Sequence, residues 1–401
     1  MIRSLFVQNI FSFKEPTLVE FNVGSKAGDR HFLLKSEAAQ ESINSVTGIF
    51  GGNASGKTNL LKSLAFLKYF VLDSAQEKPE KQIPIESFAF VENKNEPIKI
   101  ALEFEFEERL HRYDLRIKGG RVQFEALYRK DQRFRYLFER SWSDEDGYHF
   151  KSQDIGPSKS ITLRENASFI ASAVLQNHEF AQHISVFFEK MYVNVNLFGR
   201  LPTHDPEIEN IFEVSDFYAN YGDFLVSAEK HLAKADTGIS RLKMKETTYL
   251  NDEGKEETFV VPFACHVVEG REYERRLIDE SRGTQALYVL MRYILPVLKL
   301  GGIAIIDEFE TGLHAHVVKY VVELFYSKST NPYGAQLIAN FHTDFLLNST
   351  FEKYQIVLAE KDPETQSTDA WRLDKVKGIA RNANNHYAKY HAGAYGGVPN
   401  I

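Results

Sequence analysis

The sequence predicts an α/β fold: a mixed, largely parallel sheet with helices, extended by an antiparallel β lobe and a helical insertion. Three observations carry that expectation. An apolar run, Val46 to Phe50, enters the glycine-rich stretch Gly51 to Thr58 and leaves it as the helix-like Asn59-Leu60-Leu61-Lys62-Ser63-Leu64. Around residues 102–118, apolar and polar residues alternate with the period of two that marks a half-buried strand. From 281 onward, helical and strand-like stretches take turns, as in a parallel α/β sheet.

In chain order, residues 2–13 and 17–23 read as two strands linked around Pro16. The next element, Gly51-Gly52-Asn53-Ala54-Ser55-Gly56-Lys57-Thr58, satisfies G-x-x-x-x-G-K-[ST] in a strand–loop–helix setting. Glycines let the backbone wrap a triphosphate, and successive N–H groups with the helix N-terminus point at the anion. Gly51, Asn53, Ala54, Ser55 and Gly56 form this cradle. Lys57 reaches the β and γ phosphates, and the Thr58 hydroxyl is a Mg²⁺ ligand. A chance match in a chain of this length is on the order of one in a hundred.

A helix over about 57–73 follows, then a charged link from Gln76 to Lys81. Leu102, Phe104 and Phe106 alternate with Glu103, Glu105 and Glu107, and Tyr113, Leu115 and Ile117 with Asp114, Arg116 and Lys118. Gly119-Gly120 and Asp146-Gly147 are hairpin turn signals. Residues 81–160 therefore read as the antiparallel lobe. Within it, Arg129, Lys130, Arg133, Phe134, Arg135 and Tyr136 interleave bases with aromatics, as nucleic-acid surfaces do. Asp131, Glu125 and Glu139 dilute that charge, so the plainer reading is one outer face of a strand pair. Residues 161–238 read as the helical insertion, with helices near 167–175, 184–188 and 223–232. The core is expected from 1–80 and 239–401, with strands resuming at about 239–270 around the turn Asn251 to Gly254.

Composition bounds the class. The chain has 401 residues, 43% hydrophobic and 26% charged, with 31 Phe and 19 Tyr, an ordinary soluble make-up able to bury a large core. A net charge of −7 opposes a globally basic coat but leaves a local basic groove open. The one cysteine, Cys265, excludes a disulfide framework and reads as a buried strand residue in a cytoplasmic protein. No run reaches the ~20 apolar residues of a membrane span, and the first residues continue into strand-like sequence rather than a signal peptide.

The remaining chemistry lies near the end. Ile303-Ala304-Ile305-Ile306 leads into Asp307-Glu308, an apolar strand ending in two carboxylates. Asp307 suits the Mg²⁺ shell and Glu308 suits the general base for water attacking a γ-phosphate. Ser281-Arg282-Gly283-Thr284-Gln285 opens the helix 286–300 and offers a hydroxyl, a glycine backbone and a helix N-terminus, a second anion site. Ser281 and Thr284 are also good capping residues. His342 ends the apolar stretch Gln336 to Phe341. His314 and His316 have a spacing that admits a metal, yet lack matching ligands; a turn facing a partner subunit suits them better.

The order phosphate loop, long insert, Ser-x-Gly-Thr, Asp-Glu, His resembles the ABC ATPase heads of the SMC, RecF and OLD-type class. More narrowly it resembles the short bacterial ATPases of the RloA or AbiLi type, found in phage-defence and abortive-infection operons. The resemblance covers Ile2 to Phe21, Gly51 to Thr58, Ala235 to Ile239, Ser281 to His316, and the tail Tyr395 to Ile401. It implies that Ser281, Gly283 and Thr284 close over ATP held by another subunit's loop, in a head-to-tail homodimer or higher homo-oligomer. His342 then corresponds to the switch histidine at the γ-phosphate, and Glu308, His342 and Lys57 are the catalytic set. The implied activity is slow, regulatory hydrolysis of Mg²⁺-ATP that holds or releases a separate effector, a nuclease or toxin. A DNA-repair or chromosome-structure ATPase that clamps DNA is the alternative. The Q-loop glutamine is not evident; Gln82 is the one position considered. Arg282 and Thr284 stand where transporter heads carry glycines, which disfavours a transporter head.

Overall fold

The computed structural model describes residues 1–24, 30–90, 96–155, 161–197, 206–235, 237–250, 256–348, 350–377 and 386–398. The turn at 251–254, Asp236 and the last three residues lie outside them.

The chain opens with β1 (Ile2–Gln8) and β2 (Thr17–Glu20), paired antiparallel. A small sheet of β3 (Asn22–Val23), β4 (Leu33–Lys35) and β5 (Ser42–Asn44) precedes β6 (Val46–Phe50). The phosphate loop then feeds α1 (Lys57–Leu72). The lobe follows as β7 (Ile98–Phe106), β8 (Arg109–Lys118), β9 (Arg121–Lys130), β10 (Phe134–Ser143) and β11 (Gly147–Ser152). Gly119 and Gly120 turn between β8 and β9 with φ of 60° and 77°, the left-handed conformation a tight hairpin requires. The lobe is not separate from the N-terminal strands. β7 pairs with β1, giving one seven-stranded sheet ordered β11-β10-β9-β8-β7-β1-β2.

Helices α2 (Phe169–Val174) and α3 (Glu179–Glu189) come next, then β12 (Met191–Val193), α4 (Pro206–Asn220) and α5 (Gly222–Lys234). β12 is a departure from the sequence reading. Inside a stretch expected to be helical, it pairs parallel with a strand near the end of the chain. Three residues carry too little periodicity to be read as a strand on their own. A second meander, β13 (Arg241–Leu250), β14 (Glu256–Val268) and β15 (Arg271–Arg276), leads to α6 (Arg282–Leu300). The run ends with β16 (Ile303–Ile306), α7 (Ala315–Glu323), β17 (Gln336–Asn340), β18 (Ile356–Lys361), β19 (Thr368–Arg372) and α8 (His386–His391).

The central sheet is ordered β12-β16-β17-β6-β18-β19, parallel except for β19. Its strands are apolar on both faces because both are covered. Ile49, Ile303, Ile305, Ile338 and Val357 face α1 and the seven-stranded sheet. Phe50, Ala304, Ile306, Leu337 and Leu358 face the layer containing α4, α6 and α7. The seven-stranded sheet adds Leu102, Phe104, Tyr113, Leu127 and Phe138, packed on Phe169, Phe187 and Phe188 of α2 and α3. One buried ion pair fastens α2 to this sheet. Arg140 Nη2 meets Glu125 Oε2 at 2.6 Å, and both side chains are fully buried. Glu125 also accepts from Tyr113 Oη, Ser168 Oγ and the Phe169 N–H.

Candidate functional site

The site forms where β6, β16 and β17 end side by side, since parallel strands deliver their C-terminal residues to one edge. The loop after β6 is locked from below. A Cβ at Gly51 would lie 2.1 Å from the Ala359 carbonyl oxygen, and one at Gly56, where φ is +101°, 2.3 Å from Thr368 Oγ1. Thr368 Oγ1 donates to the Ser55 carbonyl at 2.9 Å and shares a 2.8 Å hydroxyl–hydroxyl bond with Ser12 Oγ, while Asn59 Nδ2 donates to Ser12 Oγ at 2.9 Å. Ser12 and Thr368 thus hold the loop, a role nothing in their local pattern announces.

Lys57 is 4% exposed and folds back, its Nζ donating to the carbonyls of Gly51 at 2.7 Å and Gly52 at 2.9 Å. Burial lowers its ammonium pKa, opposed by the carboxylates of Glu310 and Asp307. Thr58 Oγ1 donates to Asp307 Oδ1 at 3.0 Å, across 249 positions of sequence. Asn340, the last residue of β17 and fully buried, joins the pieces. Its Nδ2 donates to Asp307 Oδ1 and, at 3.4 Å, to Thr58 Oγ1; its Oδ1 accepts the Glu308 N–H at 2.5 Å. Glu308 has φ of 52°, a left-handed backbone costing about 1–2 kcal/mol for a residue with a side chain. That turn leaves the Glu308 side chain exposed, its Oε2 accepting from Thr311 Oγ1 at 3.4 Å.

Two further residues escaped the sequence reading. Glu310 Oε1 accepts the backbone N–H of Thr343 at 2.8 Å and that of His342. Its Oε2 is buried and has no hydrogen-bond partner. Glu310 therefore ties the turn after β16 to the loop after β17, where His342 stands exposed. Asn194, just past β12, donates to the Asp307 carbonyl at 3.1 Å and accepts the Asp307 N–H at 2.7 Å. Asn194 is thus a second amide at the acidic pair, beside Asn340, delivered by β12 running parallel to β16. Gln82 lies exposed on the segment before β7.

Ser281 caps α6: its Oγ accepts the Thr284 N–H at 3.2 Å and lies 2.9 Å from Thr284 Oγ1. Gly283 packs so closely that an added Cβ would sit 3.0 Å from the Gly312 carbonyl. The Ser281–Thr284 turn is therefore seated on the turn after Glu308. Among the described residues no hydrogen bond joins it to the phosphate loop. His314 caps α7, its Nδ1 accepting the His316 N–H at 3.2 Å, so this pair spends a ring nitrogen on the helix. Cys265 is buried on β14. The nearby Glu272 and Glu274 are engaged by Arg241, Lys243 and Lys245, and those hydrogen bonds hold the Glu272 carboxyl down at about 2.

The donor set fits Mg²⁺ and a triphosphate. Thr58 and Asp307 supply adjacent hard oxygens. The buried Ser55 Oγ has no partner, and Lys57 finds only loop carbonyls. Comparison with known proteins agrees. The family described as "AAA domain, putative AbiEii toxin, Type IV TA system" matches residues 46–348, about three quarters of the chain. The chain belongs to this family. Among solved structures, an Smc head bound to the C-winged helix domain of ScpA is similar, with a TM-score of 0.50 and 15% identity over 94% of this chain and 99% of that one. The SMC head domain from Thermotoga maritima gives a TM-score of 0.43 at 12% identity, over 92% and 98%. No curated protein matches. This member of the AAA family shares the fold of the Smc head. Among its described residues no helix is long and apolar enough to cross a membrane.

Proposed function

We propose that this protein binds and slowly hydrolyses Mg²⁺-ATP, and that a head-to-tail, ATP-sandwiched homodimer acts as a switch on a separate effector in a bacterial anti-phage system. One observation carries the reading: Thr58 and Asp307, far apart in sequence, share a hydrogen bond at the mouth of the loop, with Asn340 bridging to Glu308. Thr58 and Asp307 would hold Mg²⁺, which offsets phosphate charge when bound. Gly51, Asn53, Ala54, Ser55 and Gly56 present backbone N–H groups to the phosphates, and Lys57 swings from the loop carbonyls to the β and γ oxygens. Glu308 accepts the proton of the attacking water, and His342 donates to the γ-phosphate.

The split site follows from Ser281, Gly283 and Thr284. They cap their own helix and are not bonded to their own loop, which leaves them for a second copy's nucleotide. The division of labour we favour is a core of 1–80 and 239–401, completed by β7 and by β12 with Asn194, with the rest of the lobe and of the helical insertion serving regulation. The defence role is supported by the toxin–antitoxin description of the family and by the likeness of the motifs to RloA and AbiLi-type ATPases. The test is Glu308→Gln. It should bind ATP, lose hydrolysis by 10²-fold or more, and accumulate as a dimer in sedimentation when ATP is present. Hydrolysis at the normal rate would remove Glu308 as the base. A monomer with ATP bound would remove the sandwich.

A further inference from the structure

The outer face of the seven-stranded sheet carries a pattern the nucleotide site does not use. Strand register defines it row by row. Leu102, Tyr113, Leu127 and Phe138 form an inner row, all fully buried. One residue along, Glu103, Arg112, Tyr128 and Tyr136 form the matching outer row, and Lys99, Arg116 and Phe124 form another. At the far end Lys130 pairs with Phe134. The rings of Phe124, Tyr128, Phe134 and Tyr136 are half-buried, while Arg116 and Lys130 are exposed.

Cations and rings on this face are interleaved in contact. The Arg112 guanidinium lies 4.7 Å from the Tyr128 ring centre and 5.2 Å from that of Phe134. Arg116 lies 4.9 Å from Phe124, and Lys151 4.9 Å from Tyr136. Four half-buried aromatic rings stand outside the main core on this face. Guanidinium groups already held over rings form pre-organised platforms.

We infer that this face binds single-stranded nucleic acid, with bases stacking on the Phe124, Tyr128 and Tyr136 rings and their paired guanidinium groups, and phosphates meeting Arg116, Lys99 and Lys130. The chemistry selects the unpaired strand. Lys99, Arg112, Arg116, Lys130 and Lys151 are offset by Glu103, Glu105, Asp114 and Glu139 on the same face. That small excess of positive charge is far from what a duplex backbone requires, whereas stacking surfaces are open only to unpaired bases. Arg112 and Lys151 are partly spent on Asp114 at 3.1 Å and Glu139 at 2.7 Å, which sharpens the dependence on rings over charge. The inference stands apart from the ATPase reading. A nucleic-acid ligand here acts on the lobe, not on the loop.

The experiment is fluorescence anisotropy of the full chain with a labelled 20-nucleotide mixed-sequence DNA strand, its duplex, the matching RNA strand, and heparin as competitor. Micromolar binding of the single strand is expected at low salt, with a log–log salt slope near −2 rather than the steeper slope of a purely ionic interface. Tyr128→Ala and Tyr136→Ala should each weaken binding about tenfold or more, the range of one lost stacking contact. Arg116→Ala should weaken it less and flatten the slope. Circular dichroism and nucleotide binding of the same variants report folding. Lys57→Ala should bind the strand as the wild type does. Equal binding of duplex, displacement by heparin at equal charge, or ring variants that bind normally would each overturn the inference; displacement by heparin would point to an acidic protein as the occupant.

Discussion

Replacing Glu310 tests whether the site is assembled as its hydrogen bonds imply. Its Oε1 accepts two backbone N–H groups, from His342 and Thr343. Hydrogen bonds to a charged acceptor contribute about 1.5–3 kcal/mol each. Glu310→Ala removes both, so even the lower end gives about 3 kcal/mol less restraint on the loop that presents His342. At about 1.4 kcal/mol per decade, the correctly placed loop loses about 100-fold or more in population, of which hydrolysis reads the part not recovered when nucleotide binds. Phosphate contacts from the loop after β6 do not pass through Glu310. Losing its carboxylate also leaves Lys57 less shielded from an incoming anion. The expected result is a kcat lower by 10- to 100-fold with KM for ATP unchanged or slightly lower. Glu310→Gln keeps an acceptor oxygen and should recover most of the rate. Steady-state phosphate release over a range of ATP concentrations measures both constants. A wild-type kcat in Glu310→Ala, a loss confined to KM, or equal loss in Glu310→Gln would refute the reasoning.

Two predictions concern stability. Arg140→Ala leaves the Glu125 carboxylate buried without its cation and should cost about 3–5 kcal/mol in urea unfolding. The pair Glu125→Leu with Arg140→Met should recover only part, because Tyr113 Oη, Ser168 Oγ and the Phe169 N–H then lack an acceptor. Burial foremost, with neighbouring cations, holds the His111 and His231 imidazoles down at about 4, against about 6.5 in the unfolded chain. Both stay neutral in the fold while the unfolded chain takes up protons below pH 6.5. The contribution of these histidines should therefore be constant above pH 7 and fall between pH 6.5 and 4, by about 2 kcal/mol each at pH 5, while the buried Met1 amine, held down at about 5, adds a decline that starts near pH 8. Unfolding midpoints that hold steady from pH 7.5 to 5 would contradict this.

What the sequence could say depended on how local each signal was. The loop, the acidic pair and the long apolar strands are contiguous patterns, and the fold class follows from them. Asn340, Glu310 and Asn194 are not contiguous with anything they serve. Asn340 acts on Thr58 and Asp307, Glu310 on two backbone amides of another loop, and Asn194 on a strand reached only through the three residues of β12. Asn340 did leave a trace: a fully buried amide ending an otherwise apolar strand is costly unless every polar atom is paired. That reasoning would have directed attention from His342 to its neighbour. The register of the lobe shows the same limit from the other side. Residues 129–136 look like a mixed run of bases and aromatics along one strand pair. Only pairing across β8 to β11 reveals that Arg112 and Lys151, from other strands, supply the cations set against Phe134 and Tyr136. The contacts that brace the site and pattern the lobe are therefore cross-strand and cross-loop neighbours, which a one-dimensional pattern cannot align.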